Sequence, residues 1–290
     1  MAYILYFPQL IAGPILRPNE LIPQLQEKQK KITNFLFPIT IFTIGLVKKV
    51  LFADYISNHV DKVFSSEIIT NNFLDTLLAV YGFSMQIYCD FSGYTDMAIG
   101  SSLLLGINLP INFLNPYKSE SLTNFWRSWH ITLSDFLKDY IYIPLGGNRN
   151  GYISQAKNLF TTMIIGGLWH GASWGFIIWG GIHGLSLSFL SLIRRFKSNL
   201  FNIPKTLGVF LTFNFVTFTW IFFRAPSLKK AQVILNQLTN FNFSNFAQFI
   251  STNFFPILLI IIFLSLHKWD NYHFIKSTSK KIPKQIIFPL

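Results

Sequence analysis

Of 290 residues, 51% are hydrophobic, 17% aromatic and only 12% charged, where a soluble domain carries about a quarter charged residues. The net charge of +12 is broken into short clusters (Lys28, Lys30 and Lys31; Lys48 and Lys49; Arg194, Arg195 and Lys197; Lys280 and Lys281). It forms no continuous basic face, which excludes a nucleic-acid partner. A mean hydropathy of +0.39 points to an all-α, polytopic integral membrane protein, because hydrocarbon demands a backbone that satisfies its own hydrogen bonds. Basic clusters beside apolar runs touch anionic lipid headgroups and set topology.

The first 25 residues are apolar but carry Pro8, Pro14, Pro18 and Pro23. Those rings forbid a long regular helix and imply an interfacial or re-entrant piece. No basic n-region suggests a cleavable signal. Residues 26–34 read as a basic loop, followed by a helix from Phe37 to Tyr55 whose Lys48 and Lys49 snorkel to headgroups. Asn58 to Asn72 reads as a polar connection. Phe73 to Leu109 exceeds one crossing of about 20 residues, so two helices joined near Asp90–Gly93 are expected. Cys89, the single cysteine, excludes an intrachain disulfide and reads as a packing residue.

Residues 111–122 form a loop. Phe125, Trp129, Leu133, Phe136 and Tyr140 then recur at steps of three and four, an amphipathic helix capped by Thr123 or Asn124. Arg127, His130, Ser134 and Lys138 would share its polar face. The helix stops before Pro144, and Gly146 to Arg149 makes a tight basic turn.

The run from Leu159 to Ile193 contains no Asp, Glu, Lys or Arg and is again longer than one crossing. It divides into two segments, or a helix plus a re-entrant piece. Gly167, Gly171 and Gly175, then Gly180 and Gly184, repeat at four-residue spacing and let helices approach closely. Within this run, beside Trp169, Ser173 and Trp174, stands His170. An ionisable ring in such a place needs a reason: interhelical packing on one reading, a general base towards a hydroxyl on the other. His130 divides between headgroup contact and function. His183 reads as a packing residue, and His59, His267 and His273 as solvated.

No two histidines stand at helical ligand spacing, so no metal site is expected. Asp90 and Asp96 read as capping and interhelical hydrogen bonding, with a transporter's proton path as the competing view. Spans over Thr206–Phe223 and Phe254–His267 follow. Four basic residues crowd the 194–205 loop and five lysines the tail after Leu266, against three in the longer 224–253 loop. The first two therefore face the cytoplasm and the third lies outside.

Four stretches in order carry a resemblance: FPQLIAGPILRP (7–18), IYCDFSGYTDMAIG (87–100), FWRSWHITLSDFLKDYIYIPLGGNR (125–149) and GLWHGASWGFIIWGGIHG (167–184), with WIFFRA (220–225) after them. They resemble the membrane-bound O-acyltransferase family, nearest its bacterial alginate and peptidoglycan O-acetyltransferase branch. The D-alanyl-transfer branch usually lacks the IPLGGNR ending. The resemblance implies one membrane domain over 1–290: an interfacial or re-entrant piece (1–25), spans and loops (26–267) and a basic cytoplasmic tail (268–290). It also implies further spans before the FPQ motif.

In activity it implies an O-acetyltransferase of a bacterial inner membrane that binds no cofactor. Its donor is cytoplasmic acetyl-CoA, and its acetyl group passes to an extracytoplasmic polysaccharide, usually through a periplasmic partner protein. The family histidines map onto His170 and His130, catalytic on this reading. Trp169, Ser173, Trp174, Arg127, Asn124 and Asp135 are expected to line or support the substrate channel, with Asn124 or Asp135 able to orient or gate. The alternative is a truncated, non-catalytic scaffold subunit of an envelope-modifying complex.

Overall fold

The computed structural model describes residues 2–10, 13–27, 35–65, 72–196 and 203–281, and among them every regular element is helical. The proline-broken start gives only short pieces: α1 (Ala2–Leu5), a 3-10 turn at Phe7–Gln9 and α2 (Pro18–Gln26). Pro18 opens α2, where its missing N–H costs nothing. The Glu20 carboxylate accepts the Arg17 N–H at 2.8 Å.

The next helix runs further than its polar residues suggest. α3 (Leu36–Val47) passes through a π-helical stretch, Lys48–Ala53, into α4 (Asp54–Phe64). The polar connection expected from Asn58 is helical to Phe64, because Ile56, Val60, Val63 and Phe64 recur at three- and four-residue spacing and bury one stripe. Lys48 does not snorkel. It is buried, with Nζ 2.5 Å from Asp96 and 3.0 Å from Asp270, whose other oxygen accepts the Tyr88 hydroxyl at 2.7 Å. Lys49 pairs with Asp54 and Asp90, each at 2.7 Å.

The stretch longer than one crossing does not break at Asp90–Gly93. α5 (Phe73–Leu104) is one helix of 32 residues, about 48 Å long at 1.5 Å per residue. It is the central post: α3, α4, α10, α11 and α13 all pack on it.

The amphipathic helix expected across 123–140 is two. α6 (Leu122–Trp126) is capped by the Ser121 hydroxyl, which accepts the Asn124 N–H at 3.3 Å, rather than by Thr123 or Asn124. α7 (Ile131–Leu137) follows a turn at His130 and continues as a π-helical stretch to Tyr142. α8 (Tyr152–His170) and α9 (Trp174–Phe196) form a tight hairpin. Gly167 and Gly180 meet across it, and a Cβ on either would lie 2.3–2.4 Å from a backbone oxygen of the other helix. Gly171, at φ 149°, ends α8. Gly167, Gly171 and Gly175 therefore do not share one face: Gly175 packs on α10.

α10 (Lys205–Arg224) matches the expected span, and α13 (Phe254–Leu266) the next one. Between them the supposed loop holds α11 (Leu228–Thr239) and α12 (Phe246–Thr252), and the tail holds α14 (Tyr272–Lys281), which packs on α3. Among the described residues three helices are long and apolar enough to cross a membrane: Leu36–Phe64, Trp174–Ile193 and Lys205–Arg224. A pair bent by 75°, Phe246–Thr252 with Phe254–Trp269, makes a fourth if counted as one span. The basic stretch at 28–34, residues 197–202 of the cytoplasmic loop and the tail beyond 281 lie outside the described residues.

Candidate active site

His170 is the last residue of α8, and Gly171 turns the chain away from it. The rings of Trp169, Phe176, Trp179 and Phe223 surround its imidazole, with centroids 5.0–6.0 Å away. α8, α9 and α10 each contribute to this box, which the hairpin glycines draw together. The ring is half-buried, and among the described residues no group hydrogen-bonds to it. A neutral imidazole so placed has both nitrogens free for a substrate.

His130 reaches the same place by another route. It sits between α6 and α7 at φ 43°, ψ 57°, a left-handed conformation uncommon for a residue with a Cβ. Its side chain is turned inwards, 4% exposed, against Phe91 of α5 (4.6 Å) and Trp169 (6.1 Å). It does not share a polar face with Arg127, Ser134 and Lys138, because the helix expected to align them is broken at His130 itself.

Both histidines line one cavity of about 660 Å³, together with Trp169, Phe91, Ile87, Phe223 and the Gly13–Leu16 segment. Two more cavities are of similar size. One of about 600 Å³ shares Ile87, Phe91 and Phe223 with it and carries Lys49, Gln86, Asp90 and Arg224. The other, about 710 Å³, lies between α6–α7 and the α8–α9 hairpin. Arg127, Ser134 and Lys138 do meet there, with Asn148, Tyr152 and Gln155. Trp126 lines that cavity and packs on Trp179, which packs on His170.

The remaining candidates fall elsewhere. Ser173 caps the start of α9, accepting the Gly175 N–H at 3.2 Å. Trp174 is 70% exposed. Asn124 is exposed beside the α6 cap, and Asp135 pairs with Lys138 at 3.0 Å on the outer side of α7. Neither Asn124 nor Asp135 lines the histidine cavity, so neither orients His170 directly. Next to Asp135, Arg17 clamps Asp139 and holds its carboxyl below the usual aspartate range.

His183 packs between helices, as its position in the sequence suggested. Trp126 Nε1–H donates to its Nδ1 at 3.2 Å, and Thr219 Oγ1 lies 2.9 Å from its Nε2. The Thr219 hydroxyl donates to the Val216 carbonyl at 2.8 Å, so Nε2 is the protonated nitrogen and neither ring atom is free. His267 is buried rather than solvated: its Nε2 accepts the Tyr117 N–H at 3.2 Å, and Tyr88 packs edge-on at 4.6 Å. Among the described residues no group of His, Cys, Asp or Glu is arranged to hold a metal ion. Sequence reasoning missed Ile87, Phe91 and Phe223 as cavity walls. Their motifs, IYCDF and WIFFRA, were the only signal.

Comparison with known proteins matches residues 1–228 to the model of the membrane-bound O-acyltransferase family. The chain belongs to this family. It is 44% identical over 247 residues to the peptidoglycan O-acetyltransferase of Helicobacter pylori, covering 83% of this chain and 46% of that protein. Against the probable alginate O-acetylase AlgI of Pseudomonas putida it is 38% identical over 292 residues, 98% of this chain and 59% of the relative. The teichoic acid D-alanyltransferase of Bacillus subtilis is 28% identical over 240 residues, 76% of this chain and 60% of that protein. The chain thus spans about half the length of these O-acyltransferase relatives.

Proposed function

We propose that the protein carries the acyl-transfer centre of an O-acetyltransferase in a bacterial inner membrane. Its donor is acetyl-CoA from the cytoplasm, and its product is an acetyl ester on an extracytoplasmic polysaccharide, delivered through a periplasmic partner. The observation that carries this is the cavity lined by both His170 and His130, with two further cavities that carry Arg127 and Lys138, and Gln86 and Arg224. On the positive-inside reading, the end of α9 beside Ser191 is cytoplasmic and Arg224 is extracytoplasmic. The 710 Å³ cavity with Arg127 and Lys138 then faces the donor side, where cations suit a phosphorylated carrier. The 600 Å³ cavity with Gln86 and Arg224 faces the acceptor.

In this mechanism His170 takes the proton of an acceptor hydroxyl as its oxygen attacks the thioester carbonyl. The new C–O bond forms, the C–S bond breaks, and the departing thiolate receives the proton. The aromatic box gives the ring an apolar surround. His130 shares the cavity as a second neutral ring. The names of the H. pylori and P. putida relatives support peptidoglycan or alginate-like acceptors.

The test is acetyl-ester content of the envelope glycan in cells carrying the protein with its partner. His170→Ala is expected to abolish the esters while the protein remains in the membrane. Equal ester content in both would overturn the catalytic assignment. Absence of esters in both would favour the scaffold reading.

A further inference from the structure

The left-handed turn at His130 has to be held by something, since a residue with a Cβ adopts it at a cost, even though histidine tolerates it better than most. The restraint comes from a residue eighteen positions earlier, in the loop between α5 and α6. Asn112 is fully buried. Its backbone carbonyl accepts the Ile131 N–H at 3.0 Å. Its side-chain Oδ1 accepts both the Thr132 N–H, at 3.1 Å, and the Thr132 hydroxyl, at 3.0 Å. One residue thus supplies acceptors to the two residues that follow His130, at the start of α7, where helical N–H groups have no partners of their own. Thr132 Oγ1 in turn accepts the Ile15 N–H at 3.0 Å. The N-terminal segment that roofs the histidine cavity is thereby hung on the same hydroxyl. On the other side of the turn, the Leu114 N–H donates to the Ser128 carbonyl at 2.9 Å.

We propose that Asn112 and Thr132 are positioning residues for the active site: their hydrogen bonds fix the left-handed turn that aims His130 into the cavity, and join that turn to the Gly13–Leu16 roof. Neither touches the cavity. The chemistry assigned to His130 rests on the function proposed above, whereas the turn itself can be read without any activity. Buried hydrogen bonds of this kind are costly to leave half made, because the abandoned partner has no water to turn to. Two orphans follow the loss of the Thr132 hydroxyl: the Ile15 N–H, and one lone pair on Asn112.

The test uses the whole chain in native membranes and compares Thr132→Val with Thr132→Ser. Valine keeps the shape and removes the hydroxyl; serine keeps the hydroxyl. Diethyl pyrocarbonate labels imidazoles, and peptide mass spectrometry reads His130 and His170 separately. In the wild type and Thr132→Ser, His130 is expected to react slowly. Thr132→Val is expected to raise its labelling rate about five- to tenfold, the factor that one net hydrogen bond corresponds to. It is also expected to lower acetyl transfer by about ten- to a hundredfold, as a misplacement near 1 Å does, with serine restoring both readouts. Unchanged His130 labelling in Thr132→Val, with folding intact, would overturn the positioning role whatever the activity does. Altered labelling with normal acetyl-ester content would uphold the restraint and remove His130 from the chemistry. Asn112→Leu provides the second variant and is expected to move His130 labelling in the same direction. Combined with Thr132→Val it is expected to add less than the sum of the two, because both changes break the same bond.

Discussion

The α8–α9 hairpin sets where His170 lies, and two neighbouring glycines separate that role from ordinary packing. A Cβ on Gly180 would stand 2.4 Å from the Met163 carbonyl oxygen, where ordinary contact starts near 3.4 Å. Gly180→Ala must therefore push α8 and α9 apart by about 1 Å. Met163 is two helical turns before His170, so the displacement is transmitted directly to the ring. A shift of that size costs about a hundredfold in rate when it misaligns reacting groups. Stability responds less, because about 1–3 kcal/mol of overpacking is partly offset by the roughly 1 kcal/mol that alanine gains over glycine in a helix.

Gly181 is the internal control: its Cβ would meet only Ile164 Cδ1, at 3.5 Å. Gly181→Ala is expected to be neutral or slightly stabilising. The assay is acetyl esters per unit of membrane protein, with thermal unfolding in detergent measured in parallel. Equal ester content in Gly180→Ala and Gly181→Ala would refute the claim that hairpin spacing places the His170 ring for the proposed chemistry.

Two further outcomes follow from side chains outside the histidine cavity. His183→Leu leaves the Trp126 indole N–H without its acceptor and is expected to cost about 1–3 kcal/mol, read as a lowered unfolding midpoint in detergent. An unchanged midpoint would show that the Trp126–His183–Thr219 chain does not hold α6, α9 and α10 together. The Arg17–Asp139 clamp depends on pH through Asp139, whose carboxyl is held below its ordinary range by Arg17. With a depressed folded value, its contribution is present above the unfolded aspartate value, about 4, and is lost as pH falls through the folded value. Asp139→Asn and the wild type are therefore expected to differ in thermal unfolding at neutral pH and to converge in acid. A difference that grows on acidification would contradict this sign.

The parts of the protein visible in its sequence were those governed by local composition. Pro8, Pro14 and Pro18 announced short N-terminal pieces, and the long uncharged run around His170 announced a divided span. Misjudged elements were those where a distant residue decides. Phe73 to Leu109 suggested two helices joined near Asp90–Gly93 because it exceeds one crossing, with Asp90 and Asp96 read apart from Lys49 and Lys48. In the structure they are partners, and α5 runs on. His130 was placed on a polar stripe because spacing assumes an unbroken helix. The break depends on Asn112, from a stretch with no periodic signal. His267 looked solvated because its chain neighbours are polar, while Tyr117 and Tyr88 bury it from elsewhere in the chain. Family motifs corrected for some of this at the site, since they mark His130 whatever its backbone does.

The buried trio of Lys48, Asp96 and Asp270 bears on how the protein is made. Asp270 lies 222 residues after Lys48, beyond the 1–228 region matched to the family. At ribosomal rates of about 5–20 residues per second, those partners are synthesised roughly 10 to 45 s apart. Asp96 is synthesised first and is the nearer carboxylate to the lysine. Asp270 then enters with its own charge and takes up Lys48 and the Tyr88 hydroxyl. The central post and the C-terminal helices are thus joined last, by a carboxylate that has no comparable partner until the earlier helices are in place. A nascent chain that stalls before Asp270 would leave Lys48 paired with Asp96 alone, without the second carboxylate.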